Sequence, residues 1–166
     1  MKPPSIPLTK ILALEPACLR MTVPESYRDQ NGHMNMRWYV AIFDEAGDSL
    51  YLRLGLTPEY HRQHGTGTFD LEHHTHFLSE FIPGDRVAVY VRIVAQSAKR
   101  FHYLMFMVNE TRGTLAAIFE CLNAFADLKV RKTAPFPPEI ASKIAAGVAA
   151  GTGLDWPAPV SGAMQA

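Results

Sequence analysis

The chain has no surplus of either charge and almost no cysteine. Lys and Arg total 16, Asp and Glu total 16, and the formal net charge at pH 7 is zero. Without a basic excess there is no electrostatic basis for holding nucleic acid or an anionic membrane. Cys18 and Cys121 lie far apart in apolar surroundings and lack the paired spacing of a metal site. Buried free thiols are expected in place of a disulfide. No apolar run is long enough to span a bilayer. The N-terminal Ile11-Leu12-Ala13-Leu14 run is short, is preceded by prolines, and has no clear leader cleavage site. These absences lead to the expectation of a soluble, cytoplasmic protein.

What is present is apolar and periodic. A hydrophobic content of 48% over 166 residues supplies one sizeable core, and no internal repeat divides it. From Met36 to Leu54, Trp38, Ala41, Ile42, Ala46, Leu50 and Leu54 recur at three- and four-residue steps, the spacing of a helix. Asn35 suits its N-cap and Gly55 the left-handed position just past its end. Tyr39, Phe43 and Tyr51 widen the apolar stripe. Such a rod, at ~1.5 Å per residue, is roughly 28 Å long and needs wrapping by the rest of the fold.

The remaining pattern is that of strands. Cys18 to Val23 reads as a first one, stopped by Pro24. Thr57-Pro58 opens a short helical turn closed by Gly65. After Gly67 the period becomes two: Phe69 to Leu78, Val87 to Val94, Phe101 to Asn109 and Thr114 to Val130 read as four long strands joined by turns. The expected fold class is α+β, a five-stranded antiparallel sheet wrapped around one long central helix. Residues 1–16 read as an N-terminal extension, 17–133 as the domain, and 134–166 as a C-terminal helical segment with a flexible tail. Val87 to Val94 is apolar on both faces, which suggests the helix on one side of the sheet and a partner subunit on the other.

The chemistry gathers before the long helix, in Asp29-Gln30-Asn31-Gly32-His33-Met34-Asn35. A helix N-terminus leaves backbone N–H groups unpaired and partly positive, suited to holding the oxyanion formed when a carbonyl is attacked. A carboxylate beside it can attack directly or activate water. Gly32 permits backbone geometry that a side chain would obstruct. That combination suits acyl transfer. The same residue types also make an ordinary turn with an N-cap, and on their own they favour that plainer interpretation.

A resemblance shifts the balance. Asp29-x-x-Gly32-His33-Met34-Asn35 followed by Tyr39 resembles the signature of hotdog-fold acyl-CoA thioesterases, the 4-hydroxybenzoyl-CoA thioesterase superfamily. Phe43-Asp44, Leu54-Gly55-Leu56, Phe69-x-x-Glu72-x-His74-x-x-Phe77-Leu78-x-Glu80, Gly84-Asp85, Lys99-Arg100-x-His102 and Ala134-Pro135-Phe136-Pro137-Pro138 continue it in order. Together they resemble the thioesterases of bacterial carnitine and betaine catabolism, which act on betainyl-CoA. The resemblance implies a hotdog fold and hydrolysis of a small acyl-CoA. It places the nucleophile or general base on Asp29, with Gly32 and His33 beside it, and the oxyanion donor on the Met36 backbone. It further implies sites between subunits of a homodimer or dimer of dimers, with coenzyme A present only as part of the substrate and no metal or other cofactor.

Secondary candidates follow. Asn35, Glu72 and His74 are candidate substrate-binding residues, and Lys99 with Arg100 could meet the coenzyme A phosphates. Asp44, Glu45 and Asp48 on the helix compete with Asp29, because some family members carry the catalytic carboxylate there. The run His73, His74 and His76 exceeds the family pattern. Ligands two apart on a strand spread by nearly ~7 Å, so a pocket wall or polar interface is favoured over a metal site. A dehydratase or a non-catalytic acyl-CoA-binding protein on the same fold is the alternative, since His33 beside Asp29 would also suit proton transfer. A quaternary ammonium acyl group would want aromatic faces and a carboxylate. Trp38, Tyr39, Phe43 and Tyr51 are available, but nothing in the sequence gathers them round one pocket.

Overall fold

The computed structural model describes residues 6–166. Its elements in order are α1 (Leu8–Leu12), β1 (Leu19–Thr22), α2 (Met36–Leu54), α3 (Pro58–His64), β2 (Thr66–Phe77), β3 (Arg86–Gln96), β4 (Arg100–Asn109), β5 (Thr114–Asp127), β6 (Lys132–Thr133) and α4 (Pro138–Thr152). The strands form one antiparallel sheet in the order β1-β3-β4-β5-β2, with β6 added against β5. The class is α+β, with the sheet curled about α2, as a hotdog fold requires. The two-residue β6 is a sixth strand that sequence patterning does not reveal. Of the N-terminal extension, residues 1–5 lie outside the described residues. The rest is not without structure, since α1 buries Ile11 completely.

The chain divides into two compact units. The first comprises residues up to Leu50 with Thr75–Val91 and Met105–Phe119. The second comprises Tyr51–His74, Arg92–Leu104 and Glu120–Ala166.

In the first unit, α2 buries Tyr39, Ile42, Phe43, Ala46 and Leu50, all at most 5% exposed. Phe43 stacks on Phe119 of β5 at 4.9 Å between centroids. The buried stripe is rotated slightly from the expected one. Ala41 faces solvent, and Trp38 is only half-buried, with its ring stacked at 3.8 Å on Tyr27. The rival carboxylates Asp44, Glu45 and Asp48 are exposed. Val87, Ala88, Val89 and Tyr90 of β3 are at most 1% exposed within the single chain. These four side chains are thus buried within the single chain, whereas Val91 and Val94 further along the strand are half-buried.

In the second unit, Thr57 accepts the Tyr60 N–H at 2.9 Å and Gly65 adopts φ +65° to end α3, as the sequence leads one to expect. Tyr51 meets Phe101 edge-on, and α4 lies against β3 through Gly147 and Gly151. A Cβ on Gly151 would run into the Ile93 carbonyl oxygen. Arg92, 8% exposed, donates to the carbonyls of Gly151 (2.8 Å) and Trp156 (3.0 Å) and lies over the Trp156 ring. His102 Nε2 is 2.9 Å from Glu120 Oε1, and Glu120 Oε2 accepts the Ser161 N–H at 2.8 Å. With Trp156 and Met164 also buried, the tail expected to be flexible is anchored.

β1 and β2 end the strand order, and along β2 Phe69 (66%), Leu71 (37%) and Phe77 (50%) are exposed.

Candidate active site

The loop before α2 is built from its own turn chemistry. Pro24 leads into a 3-10 turn over Glu25–Tyr27. The chain then doubles back on itself: Arg28 pairs with Met34 as an isolated antiparallel bridge, and Asp29 N donates to His33 O at 2.9 Å. Between them the Gly32 N–H reaches Asp29 O at 3.1 Å, closing a four-residue turn that needs the φ of +85° found at Gly32. The Arg28 guanidinium, paired with Glu25, donates to the Gly32 carbonyl at 2.8 Å. Met34 N donates to Phe81 O at 2.7 Å and Asn35 N to Tyr27 O at 3.0 Å, which pins the loop to its neighbours.

Asn35 then opens the helix, accepting Arg37 N on its side chain (3.2 Å) and Trp38 N on its carbonyl (3.0 Å). Its place in the structure is that of a cap. The Met36 N–H, first in the helix, meets no acceptor among the described residues and retains its donor capacity.

The two oxygens of Asp29 have different partners. Oδ1 accepts the Asn31 N–H at 2.8 Å, an Asx turn, and Oδ2 faces His33 Nδ1 at 3.5 Å. The plain turn and the candidate chemistry therefore share one side chain without competing for the same atom. The Asp29 side chain is 9% exposed and that of His33 34%. His33 Nδ1 also lies 3.3 Å from the Met34 carbonyl, so both of its neighbours are oxygens. That environment favours a proton on Nδ1 and an acceptor lone pair on Nε2.

A cavity of about 320 Å³ adjoins this loop, and His33, Met36, Tyr39, Phe77, Leu78 and Glu80 are among its lining residues. Asp29 is not part of the lining. Tyr39 is fixed at its far end, where its hydroxyl donates to Ser79 O and accepts from Phe81 N, each at 3.2 Å. Burial pushes the phenol's pKa up, so the ring is neutral at ordinary pH. Phe77 stands perpendicular to it at 5.2 Å. The segment after β2 that carries Ser79 and Glu80 is held by Leu78 N and Ser79 N, both donating to Ala116 O.

The sequence candidates thus separate. Asp29, Gly32, His33, Asn35 and Met36 come together in the first unit. Glu72 and His74 on β2, and Lys99 and Arg100 at the β3–β4 turn, belong to the second unit, are exposed, and are not among the residues lining this cavity. Of the four aromatic candidates only Tyr39 reaches it: Phe43 is spent on Phe119, Trp38 on Tyr27 and Tyr51 on the second unit. Phe77 and Glu80 carry no assignment in the sequence reading. Their presence in the Phe77-Leu78-x-Glu80 match was the available signal.

The cavity thus lies beside the N-terminus of α2, with Asp29 and His33 near its edge. The pattern of the thioesterase-like superfamily matches residues 23–144, and the chain belongs to that superfamily. It is 30% identical over 118 residues to a betainyl-CoA thioesterase of Pseudomonas aeruginosa, covering 71% of this chain and 74% of that one. It is also 30% identical, over 68% of its length, to an L-carnitine dehydrogenase/betainyl-CoA thioesterase of Agrobacterium fabrum, of which it spans 23%. Among solved structures it resembles a Staphylococcus aureus protein determined in complex with CoA, with a TM-score of 0.80 and 26% identity, covering 89% of this chain and 93% of that one. Among the described residues no helix is long and apolar enough to cross a membrane.

Proposed function

We propose that the protein is an acyl-CoA thioesterase that hydrolyses a small acyl-CoA, betainyl-CoA in particular, to the free acid and CoA. The observation that carries this is the Asp29–His33 pair beside the unpaired Met36 N–H at the edge of the cavity. Asp29 holds His33 through Nδ1, and His33 Nε2 takes a proton from water as it adds to the thioester carbon. The Met36 N–H receives the oxygen that becomes negative, assisted by the helix dipole. Collapse of the tetrahedral intermediate expels the CoA thiolate. Because Asp29 is set behind His33 and outside the cavity lining, its position supports activation of water over direct attack. Its role is then that of the base's partner. Kinship to betainyl-CoA thioesterases supports the acyl group, and the CoA-bound relative supports the leaving group.

The surrounding assignments belong to the same proposal. Lys99 and Arg100, exposed at their turn, meet coenzyme A phosphates, and Glu72 and His74 contribute a polar wall. The working form is a homodimer or dimer of dimers built on β2, which ends the strand order and whose exposed Phe69, Leu71 and Phe77 a second copy would cover. The compartment is the cytoplasm, consistent with two buried free thiols. A light-scattering mass near 18.5 kDa at micromolar concentration would refute the assembly.

The proximity of His33 to Asp29 is also what a dehydratase would use for proton transfer at carbon. Release of CoA thiol, followed with a chromogenic disulfide, separates the two: hydrolysis liberates a thiol and dehydration does not. The Asp29→Asn variant should lose that release while keeping the wild-type circular dichroism.

A further inference from the structure

Resting on the thioesterase reading, we propose that Glu80 is the residue that selects the charge of the acyl group, drawing a cationic head into the angle between Tyr39 and Phe77. Among the described residues Glu80 is the sole carboxylate lining the cavity, and no Lys or Arg lines it. Of the other lining residues, Met34, Met36 and Leu78 are apolar, Ser79 is uncharged and His33 is assigned to the chemistry. Discrimination by charge therefore falls to Glu80 and the two rings.

The charges around Glu80 leave it unbalanced. Arg112 is 3.8 Å from Glu80 Oε1 but 3.3 Å from Asp85 Oδ2. Asp85 is 4% exposed and also accepts from Asn109 Nδ2 at 2.8 Å and Ile82 N at 3.0 Å, so it is fixed in place and holds Arg112 to itself. Arg112 neutralises Asp85, and the three groups together keep one negative charge, on the carboxylate that lines the cavity. The rings are suited to the same ligand. Tyr39 is held at its hydroxyl and cannot swing away, and Phe77, perpendicular to it and half exposed, presents a second π surface. With 56% of its side chain exposed, Glu80 is screened by solvent. A bound acyl head displaces that solvent and strengthens the attraction when the head is charged.

The test compares two thioesters of one shape: betainyl-CoA, ending in a trimethylammonium group, and tert-butylacetyl-CoA, ending in the neutral isostere. The readout is the ratio of their kcat/KM values. Wild type is expected to prefer the charged ester by about tenfold or more, and Glu80→Gln to reduce that preference at least ~5-fold, as loss of a partly desolvated charge contact implies. Phe77→Leu should reduce it less. Glu59→Gln, an exposed acid on α3, should leave the ratio at the wild-type value. A Glu80→Gln ratio within about twofold of wild type, or a wild type with no preference, overturns this proposal alone. A folded wild type that cleaves neither ester overturns the thioesterase reading and this proposal with it.

Discussion

The buried polar groups of the second unit and the cavity groups of the first are spent in opposite ways. In the second, most buried ionisable groups are closed upon neighbours: His102 on Glu120, Glu120 on the Ser161 N–H, and the two terminal nitrogens of Arg92 on carbonyls beneath a tryptophan face, with only its Nε left over. Burial there pushes the Tyr51 phenol and the Cys121 thiol well above their usual pKa values, so both stay neutral. In the first, the polar groups at the cavity keep capacity in reserve. His33 turns one nitrogen to Asp29 and retains the other, Met36 keeps its N–H, and Glu80 is only loosely countered by Arg112. A buried pair whose valences are used up stabilises a fold. A group with an unused valence beside a cavity can act on something else.

The largest effect should come from breaking the first side of that contrast. Asp29→Asn keeps size and turn-forming capacity but loses the charge that supports His33 as base, and is expected to lower turnover at least ~100-fold, a barrier increase of about 3 kcal/mol. Thiol release measures it, with Asp44→Asn and Glu45→Gln as comparisons that should stay near wild type. A dead helix variant beside an Asp29→Asn enzyme within about threefold of wild type would move the carboxylate to α2.

Next in size is the other side. His102→Ala leaves Glu120 buried without its partner and should cost about 2–3 kcal/mol of stability in denaturant titration, while kcat measured well below the transition stays close to wild type. Loss of kcat with an unchanged transition midpoint would mean that the His102–Glu120 pair takes part in the chemistry.

Smaller still is the coenzyme contact. Replacing Lys99 and Arg100 together by Ala should raise KM for acyl-CoA about three- to tenfold at constant kcat, because phosphate contacts act equally on ground and transition states. The same pair should barely affect an acyl-pantetheine substrate, which lacks the nucleotide. A fall in kcat with KM unchanged would show that the turn bears on the reacting centre.

The smallest change tests burial alone. With its pKa raised and its side chain enclosed, Cys121 should react with the chromogenic disulfide only as fast as the protein opens. A prompt extra thiol equivalent in the folded C18S variant would show that the second unit is looser than its packing implies.

Where the sequence was legible, periodicity made it so. Met36 to Leu54 is helical at both expected ends because Asn35 and the φ +89° at Gly55 mark them. β3 and β4 fall within about two residues of expectation because alternation is strong there. β2 starts earlier, at Thr66, since Gly65 and Gly67 read as breakers although only Gly65 turns the chain. β5 stops earlier, at Asp127, where its carboxylate takes the Lys129 N–H and begins a turn. Ile42, Ala46, Leu50 and Leu54 are buried as expected, and the stripe is rotated only in that Tyr39 and Phe43 hold the core where Trp38 and Ala41 do not. The loop cluster was visible as a run of residue types. That Phe77 and Glu80 come to face Tyr39 was not, because a contact across some forty positions leaves no local pattern.

The close seating of α4 on β3 bears on how mutational tolerance should be interpreted. Gly151 has no room for even a methyl group against the Ile93 carbonyl, and Gly147 meets the Ile93 side chain almost as closely. A saturation scan that scores only growth or activity would rank Gly151 as unforgiving as Asp29, and for a reason that involves no chemistry. Intolerance in such a map marks places where something is full as readily as places where something happens. Only the second kind should respond to a change of substrate.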